Sequence, residues 1–305
     1  MKCNYELGDT LFDFGLLRFD FVENPGMAFG FSFGSIFSKY LLSLFRVFAV
    51  FAIGYYIIGY NLMYPLGNWS IEGFLSGIEL SCFVLSDGEN YLTLPMAKDY
   101  KRIGEGDTGL NTGGMGAVSP VPFLDSSFEK KISAQIIKPT IEGLKKDKMP
   151  YKGFLFIGLI KVGDEPKVIE YNVRLGDPET EVVIPRVKND LVEIFKSVQE
   201  GTLNGIQLDI ESKAAATVMA VSKGYPQDYE KGKTIKGLSK GKMIFHAGTK
   251  HINNNIVSNG GRVLNFIAKS KSFKDSREVV INLIKKINWK NGFYRKDIGY
   301  KVIDE

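Results

Sequence analysis

The sequence predicts a mixed α/β (α+β) protein preceded by an atypical apolar leader. Three observations predict it. First, the chain changes character near residue 68: residues 1–70 hold 11 of the 22 phenylalanines but only nine charged residues, whereas the remainder carries 35 basic and 29 acidic ones. Second, beyond that break, short runs with a side-chain period of two alternate with runs of period 3.6. Third, a polar, glycine-rich stretch at 101–122 is too long and too specific in composition to be a mere connector, which marks it as a functional loop.

With 44% apolar and 24% charged residues among 305, the chain is neither disordered nor a disulfide scaffold, and it can bury a core in each of two domains. The formal charge of +5 is spread along the sequence, so nucleic acid is not an expected partner. Cys3 and Cys82 lack metal-ligand spacing, which points to a reducing compartment.

The leader comprises residues 1–67. Val47–Leu66 carries no charge and matches the length of a membrane-crossing helix, with Lys39 and Arg46 before it. Asn61 and Pro65 interrupt that pattern, as do Gly54 and Gly59. Three readings follow: a foreign or mistranslated leader, a genuine membrane anchor, or buried core.

From Trp69 onward the chain reads as soluble α/β. A loosely alternating run ends at the turn Ser86–Asn90 and resumes at Tyr91–Leu94, predicting a hairpin. Asp125–Leu144 has helical spacing. Gly153–Val162 and Pro166–Val173 read as strands around the turn Gly163–Glu165, and Lys188–Gln199 returns to helix. After a linker-like stretch at 201–213, Ala214–Val221 opens a second unit. A strand pair around Asn253–Asn255 and a helix follow, with Val279, Val280, Leu283, Ile284 and Ile287 in period and Ser272 with Asp275 as its capping box.

The residues suited to chemistry gather in two segments. On a strand, Glu170, Asn172 and Arg174 project from one face while Ile169, Tyr171 and Val173 project from the other. A carboxylate beside an amide oxygen is a hard-oxygen pair suited to Mg²⁺, and Arg174 can then grip an anion; a solvated edge strand would look the same. In the loop Gly104–Gly116, many glycines expose backbone N–H groups able to cradle an anion, with Asp107, Asn111 and Thr112 adding side-chain donors and acceptors. No Walker lysine ends that loop. His246 and His251 have no nucleophile beside them and read as structural.

Taken together, these segments resemble the phosphoribosylamine-glycine ligase family (glycinamide ribonucleotide synthetases) of the ATP-grasp superfamily. The resemblance runs from about Ile71 to Tyr300 and rests on Ile71–Glu79, Gly104–Pro120 and the signature Arg174-Leu-Gly-Asp-Pro-Glu-Thr-Glu181. Ser222–Pro226, Phe245–Thr249, Ser258–Val263 and Phe293–Tyr300 extend it. It implies an ATP-grasp lobe over 68–200, a linker at 201–213 and a small mixed α/β C-terminal domain over 214–305. The implied reaction joins glycine to 5-phosphoribosylamine at the expense of ATP through a glycyl phosphate, giving glycinamide ribonucleotide in purine synthesis in the cytoplasm.

The resemblance also implies roles. Glu170 and Asn172 match Mg²⁺ (or Mn²⁺) ligands, and Arg174 and Asp177 match the phosphoryl-transfer and glycine site. Asp107, Asn111, Thr112, Gly113, Gly114, Met115 and Gly116 match the substrate loop, joined by Gly260, Gly261 and Arg262 from the C-terminal domain. Glu72, Phe74 and Leu75 resemble the adenine-contacting hinge and Glu79 the ribose-contacting acid, although Gly73 stands where a second glutamate is usual. Family members carry a Rossmann-like domain and a first ATP-grasp lobe ahead of the hinge, and residues 1–67 resemble neither. The expectation is therefore one half of a nucleotide clamp showing little synthesis alone, either completed by a separately encoded N-terminal half or the product of a defective gene. The alternatives are a non-catalytic fragment, membrane-tethered through 47–66, and an ATP-grasp ligase for another substrate, against which the signature weighs.

Overall fold

The computed structural model describes residues 10–13, 18–20, 77–238 and 243–300. The chain divides into a unit at Met1–Glu72 and a unit at Gly73–Glu305. In the first, β1 (Thr10–Asp13) and β2 (Arg18–Asp20) pair antiparallel. The leader segment Val47–Leu66 and the hinge residues Glu72, Phe74 and Leu75 lie outside the described residues.

In the second unit, β3 (Ile78–Asp87) and β4 (Tyr91–Thr93) form the expected hairpin. Asp87 closes it by accepting the amides of Glu89 and Asn90 at 2.8 and 2.6 Å. The short strands β5 (Lys98–Asp99), β6 (Arg102–Gly104), β7 (Thr108–Asn111) and β8 (Gly116–Ser119) follow. The glycine-rich stretch read as a loop is thus largely a β6–β7 hairpin, its tight turn made by Gly106 and Asp107 at φ 66° and 55°.

One continuous helical rod comes next: α1 (Ser126–Ile132), capped by the Asp125 carboxylate, runs through a π-helical turn into α2 (Lys138–Lys146). Strands β9 (Lys152–Val162) and β10 (Glu165–Asn172) then complete an antiparallel sheet of order β10-β9-β3-β4. Period-two alternation sorts its two faces. Leu80, Cys82, Val84, Leu155, Ile157 and Leu159 pack under α1 and α2, while Phe83 and Phe156 face the other way with ring centroids 5.5 Å apart. Cys82 is fully buried, and burial pushes its thiol up to about 12, which leaves it inert.

Beyond α3 (Thr180–Val183) and α4 (Leu191–Glu200), the remaining strands are β11 (Ala214–Ser222), β12 (Thr234–Ile235), β13 (Ile244–His246), β14 (Thr249–Ile252), β15 (Asn255–Ser258), β16 (Arg262–Ser270) and β17 (Gly292–Phe293). Helix α5 (Phe273–Ile284) starts at Ser272, whose hydroxyl accepts the Asp275 amide at 3.1 Å, and it packs Val280 and Ile284 onto the core. The larger sheet has the order β13-β16-β11-β8-β5, with β17 also on β11. It therefore takes β5 and β8 from one side of the 201–213 stretch and β11 and β16 from the other. That stretch is itself held, because buried Arg186 donates to the Glu211 and Lys213 carbonyls and to the Ser119 hydroxyl.

Candidate functional site

The face of the four-stranded sheet opposite α1 and α2 carries a polar row. Ser81 on β3 pairs with Gly158 on β9, and Gly158 pairs in turn with Glu170 on β10. Having no Cβ, Gly158 leaves room for the Glu170 side chain, which lies over it. A bulge between Val168 and Glu170 shifts the register there, and Asn172 sits opposite Phe156 further along the same face. Glu170 and Asn172 therefore share a face, as the period of two requires. Ile169 and Tyr171 on this edge strand and Val173 just past its end are exposed at 48, 48 and 67%, and because the strand ends at Asn172 it does not hold Arg174 on the Glu170–Asn172 face as the alternation predicted.

Glu79, Asp99 and Lys101 gather beside this row and line one small pocket with Ser81 and Glu170. Lys101 Nζ lies 3.0 Å from Glu79 Oε2 and 3.8 Å from Asp99 Oδ2, while Lys98 Nζ donates to the Glu79 carbonyl at 3.3 Å. Glu179 lies underneath, 4% exposed, accepting the Ser81 hydroxyl at 2.8 Å. Burial and then the nearby Asp99 push the Glu179 carboxyl up to about 7. Burial raises Asp99 as well.

The signature turn joins this face to the C-terminal strands. Arg262, first residue of β16, grips Asp177 with both ends of its guanidinium, at 2.9 and 2.7 Å, and donates to the Gly113 carbonyl at 2.6 Å. Gly114, at φ 114°, lets the chain pass directly against Pro178, where a Cβ would collide with the proline ring. Gly260 and Gly261 lie beside this contact: the Gly260 carbonyl accepts the Ser222 hydroxyl at 2.8 Å, and Gly261 abuts the Tyr225 ring. Arg174 is exposed, with one nitrogen donating to the Leu175 carbonyl at 3.0 Å.

The glycine-rich segment is not an open anion cradle. The amides of Gly106, Thr112, Gly113, Gly114 and Met115 all donate within the protein, to Asp297, Lys101, Tyr225, Thr112 and Tyr100 in that order. Asp107 is likewise taken up: Arg295 Nη1 lies 2.8 Å from its carboxylate and the Tyr300 hydroxyl donates to it at 3.2 Å. The Arg295 side chain is 0% exposed and also makes a two-pronged pair with Asp297 at 2.8 and 2.6 Å. Asn111 and Thr112 end the hairpin, and Thr112 is fixed to the Lys101 carbonyl at 2.7 Å.

The structure thus brings Glu79, Glu170 and Asn172 to one face and joins Asp177, Gly113, Gly114 and Arg262 in one contact. Sequence reasoning passed over Ser81, Asp99, Lys101, Glu179, Tyr225 and Arg295. Ser81 was within reach of it, since it follows Glu79 by two on a strand; Lys101, Glu179, Tyr225 and Arg295 act through partners distant in sequence, while Asp99 pairs with Lys101 two residues on.

Glu170 and Asn172 offer two hard oxygens, the number of protein ligands Mg²⁺ accepts when phosphates and water complete its shell. Among the described residues no three His, Cys, Asp or Glu side chains converge as a metal cage.

The family model for the phosphoribosylglycinamide synthetase ATP-grasp (A) domain matches residues 67–180, and that for the C domain of the same synthetase matches 215–301. The phosphoribosylamine-glycine ligase of Caldanaerobacter subterraneus subsp. tengcongensis is 44% identical over 231 residues, 75% of this chain and 55% of that protein. The chain spans about half the length of the curated relatives it matches. The crystal structure of the phosphoribosylamine-glycine ligase from Thermotoga maritima superposes with a TM-score of 0.69 at 36% identity, covering 74% of this chain and 57% of that one. Biotin carboxylase from Campylobacter jejuni, at 13% identity and a TM-score of 0.55 over 77% of this chain and 51% of its own, shares the fold alone. The fold is that of an ATP-grasp lobe followed by a mixed α/β C-terminal segment.

Proposed function

Because the chain belongs to the phosphoribosylglycinamide synthetase family, we propose that it carries out the ATP-dependent joining of glycine to 5-phosphoribosylamine, yielding glycinamide ribonucleotide, ADP and phosphate. The observation that carries this reading is that the signature turn runs from the end of the strand bearing Glu170 and Asn172, beside Glu79, straight into the Asp177–Arg262–Gly113 contact. On this reading the Glu79–Glu170–Asn172 face receives ATP and the Asp177–Arg262–Gly113 contact receives glycine and the amine.

The chemistry needs positioning and charge neutralisation more than a nucleophile from the protein. Glu170 and Asn172 would hold Mg²⁺ or Mn²⁺, which when bound neutralises phosphate charge. On this reading Glu79, paired with Lys101, accepts hydroxyl hydrogens from the ribose. Exposed Arg174 supplies positive charge to the transferring phosphoryl group, and Asp177, held by Arg262, offers its remaining acceptor capacity to an ammonium group. The glycine carboxylate becomes an acyl phosphate, which the amine then attacks.

Domain limits of 68–200 and 214–305, a cytoplasmic setting and a separately supplied N-terminal half all belong to this proposal. No helix among the described residues is long and apolar enough to cross a membrane, and Val47–Leu66 lies outside them. Carbonate extraction of membranes from expressing cells tests an anchor there, since a bilayer-spanning segment would stay in the pellet. The deciding assay measures glycinamide ribonucleotide from glycine, Mg-ATP and freshly generated 5-phosphoribosylamine. The purified chain is assayed alone and with the N-terminal half of the Caldanaerobacter ligase. Product in the complemented reaction is expected. Absence of product together with absence of Mg-ATP binding would overturn the reading.

A further inference from the structure

The geometry points to Tyr225 as a positioning residue for the substrate loop, acting through the backbone of Gly113. Tyr225 belongs to Ser222-Lys-Gly-Tyr-Pro226, a segment to which the reaction assigns no part. Its hydroxyl oxygen accepts the Gly113 N–H at 3.1 Å, across 112 residues of sequence. From the other side, Arg262 donates to the Gly113 carbonyl at 2.6 Å. Both polar backbone groups of one loop residue are thus held by side chains from the C-terminal segment, and Arg262 is the residue that also grips Asp177.

The phenol is itself fixed. Its ring lies against Gly261, where a Cβ would run into the ring, and stands edge-on to Tyr229 with centroids 6.2 Å apart. The turn that carries it is bonded to the same place: the Tyr225 amide donates to the Ser222 carbonyl at 3.0 Å, and the Ser222 amide and hydroxyl donate to the Gly261 and Gly260 carbonyls at 2.7 and 2.8 Å. A hydroxyl held this firmly costs little entropy to use and sets where the Gly113 peptide stands. Gly114, pressed against Pro178, follows, and the carboxylate of Asp177 keeps its orientation because Arg262 is shared. Substitution to phenylalanine separates the two jobs of the side chain, since it keeps the ring on Gly261 and deletes only the acceptor.

The inference rests on the ligase reading in one respect, that glycine binds beside Asp177. Two measurements on the full chain keep the two apart. In protein labelled with [¹⁵N]glycine, Tyr225→Phe is expected to speed exchange of the Gly113 amide roughly three- to tenfold, the net worth of one hydrogen bond. The Gly158 amide in β9 should be unchanged, and the melting temperature should fall by no more than about 2–4 °C. Glycine titrated calorimetrically into the chain with Mg-ATP is expected to bind the variant several-fold more weakly than wild type. Unchanged Gly113 exchange in Tyr225→Phe overturns the inference, and so does a pattern in which Tyr225→Ala disturbs the loop while Tyr225→Phe does not, because the ring alone would then matter. Wild-type chain that binds no glycine, with Gly113 still released by Tyr225→Phe, overturns the ligase reading and leaves the positioning role standing.

Discussion

Arg295 offers the sharpest test of how the glycine-rich hairpin is held. Its side chain is wholly buried, its guanidinium pairs with Asp107 at 2.8 Å and with Asp297 at 2.6 Å, and it donates to the Arg102 carbonyl at 3.0 Å. It also lies 5.5 Å from the centre of the Tyr100 ring. Arg295→Met keeps the volume and takes from two neighbouring carboxylates the guanidinium that both of them pair with. Removing one partner of a buried pair costs roughly 3–5 kcal/mol. Because the Asp107 and Asp297 side chains retain 25 and 18% exposure and can recruit water, the lower end applies, about 3 kcal/mol. Arg295→Lys keeps the charge and loses the fork, so about 1–2 kcal/mol is expected. Urea unfolding followed by circular dichroism measures both, and limited proteolysis should show cleavage at 102–111 appearing first. A loss under about 1 kcal/mol for the methionine variant would refute the reasoning, since losing a buried cation shared by two carboxylates should cost more than that.

Glu179→Gln tests the buried carboxyl. Its pKa is raised in the folded chain from the ordinary 4.5 to about 7, so the folded state binds the proton more tightly than the unfolded one. The stability this confers is complete below pH 4.5 and lost as pH climbs to about 7, and the glutamine variant should show a flatter decline across that window, with the remaining slope due to the raised Asp99. Equal slopes in denaturant titrations from pH 4.5 to 7 would sink that argument. Glu170→Gln should weaken Mg-ATP binding by about tenfold or more with little change in melting temperature, and equal affinities by calorimetry would remove it as a metal ligand. Gly114→Ala demands both a left-handed backbone and space already filled by Pro178, so a loss of about 1–3 kcal/mol in urea unfolding is expected. A neutral result would mean that the loop stands elsewhere in solution.

What could be read from the residue order follows a simple physical division. Period and turn chemistry are local, so the β3–β4 hairpin, the β9–β10 pair, the long helical rod and the Ser272 cap were all anticipated within a few residues. The shared face of Glu170 and Asn172 was anticipated for the same reason, although the bulge beside Ile169 was not, because a one-residue irregularity leaves no trace in an alternating pattern. Glycine-rich composition misled: many glycines suggested free amides, yet the backbone closes into β6–β7 and directs its N–H groups inward. The roles of Tyr225, Arg295 and Glu179 depend on partners 112, 188 and 98 positions away, and pairings of that reach have no local signature.

The placement of β8 has a mechanical meaning. It is an interior strand of the larger sheet, flanked by β5 and β11, and the glycine-rich hairpin precedes it within the same stretch of chain. Any swing of that sheet carries the hairpin with it as a passenger. Among the described residues the larger sheet meets the four-stranded one at a backbone bridge, the reciprocal hydrogen bonds of Ser81 and Ala97 at 2.7 and 3.0 Å, and through the packing of Phe83 and Phe156 against Ala117 and Ala215. Ser81 also donates its hydroxyl to Glu179, so the bridge between the sheets stands directly on a carboxyl whose proton burial retains, and the seam between the sheets and that protonation share a single joint.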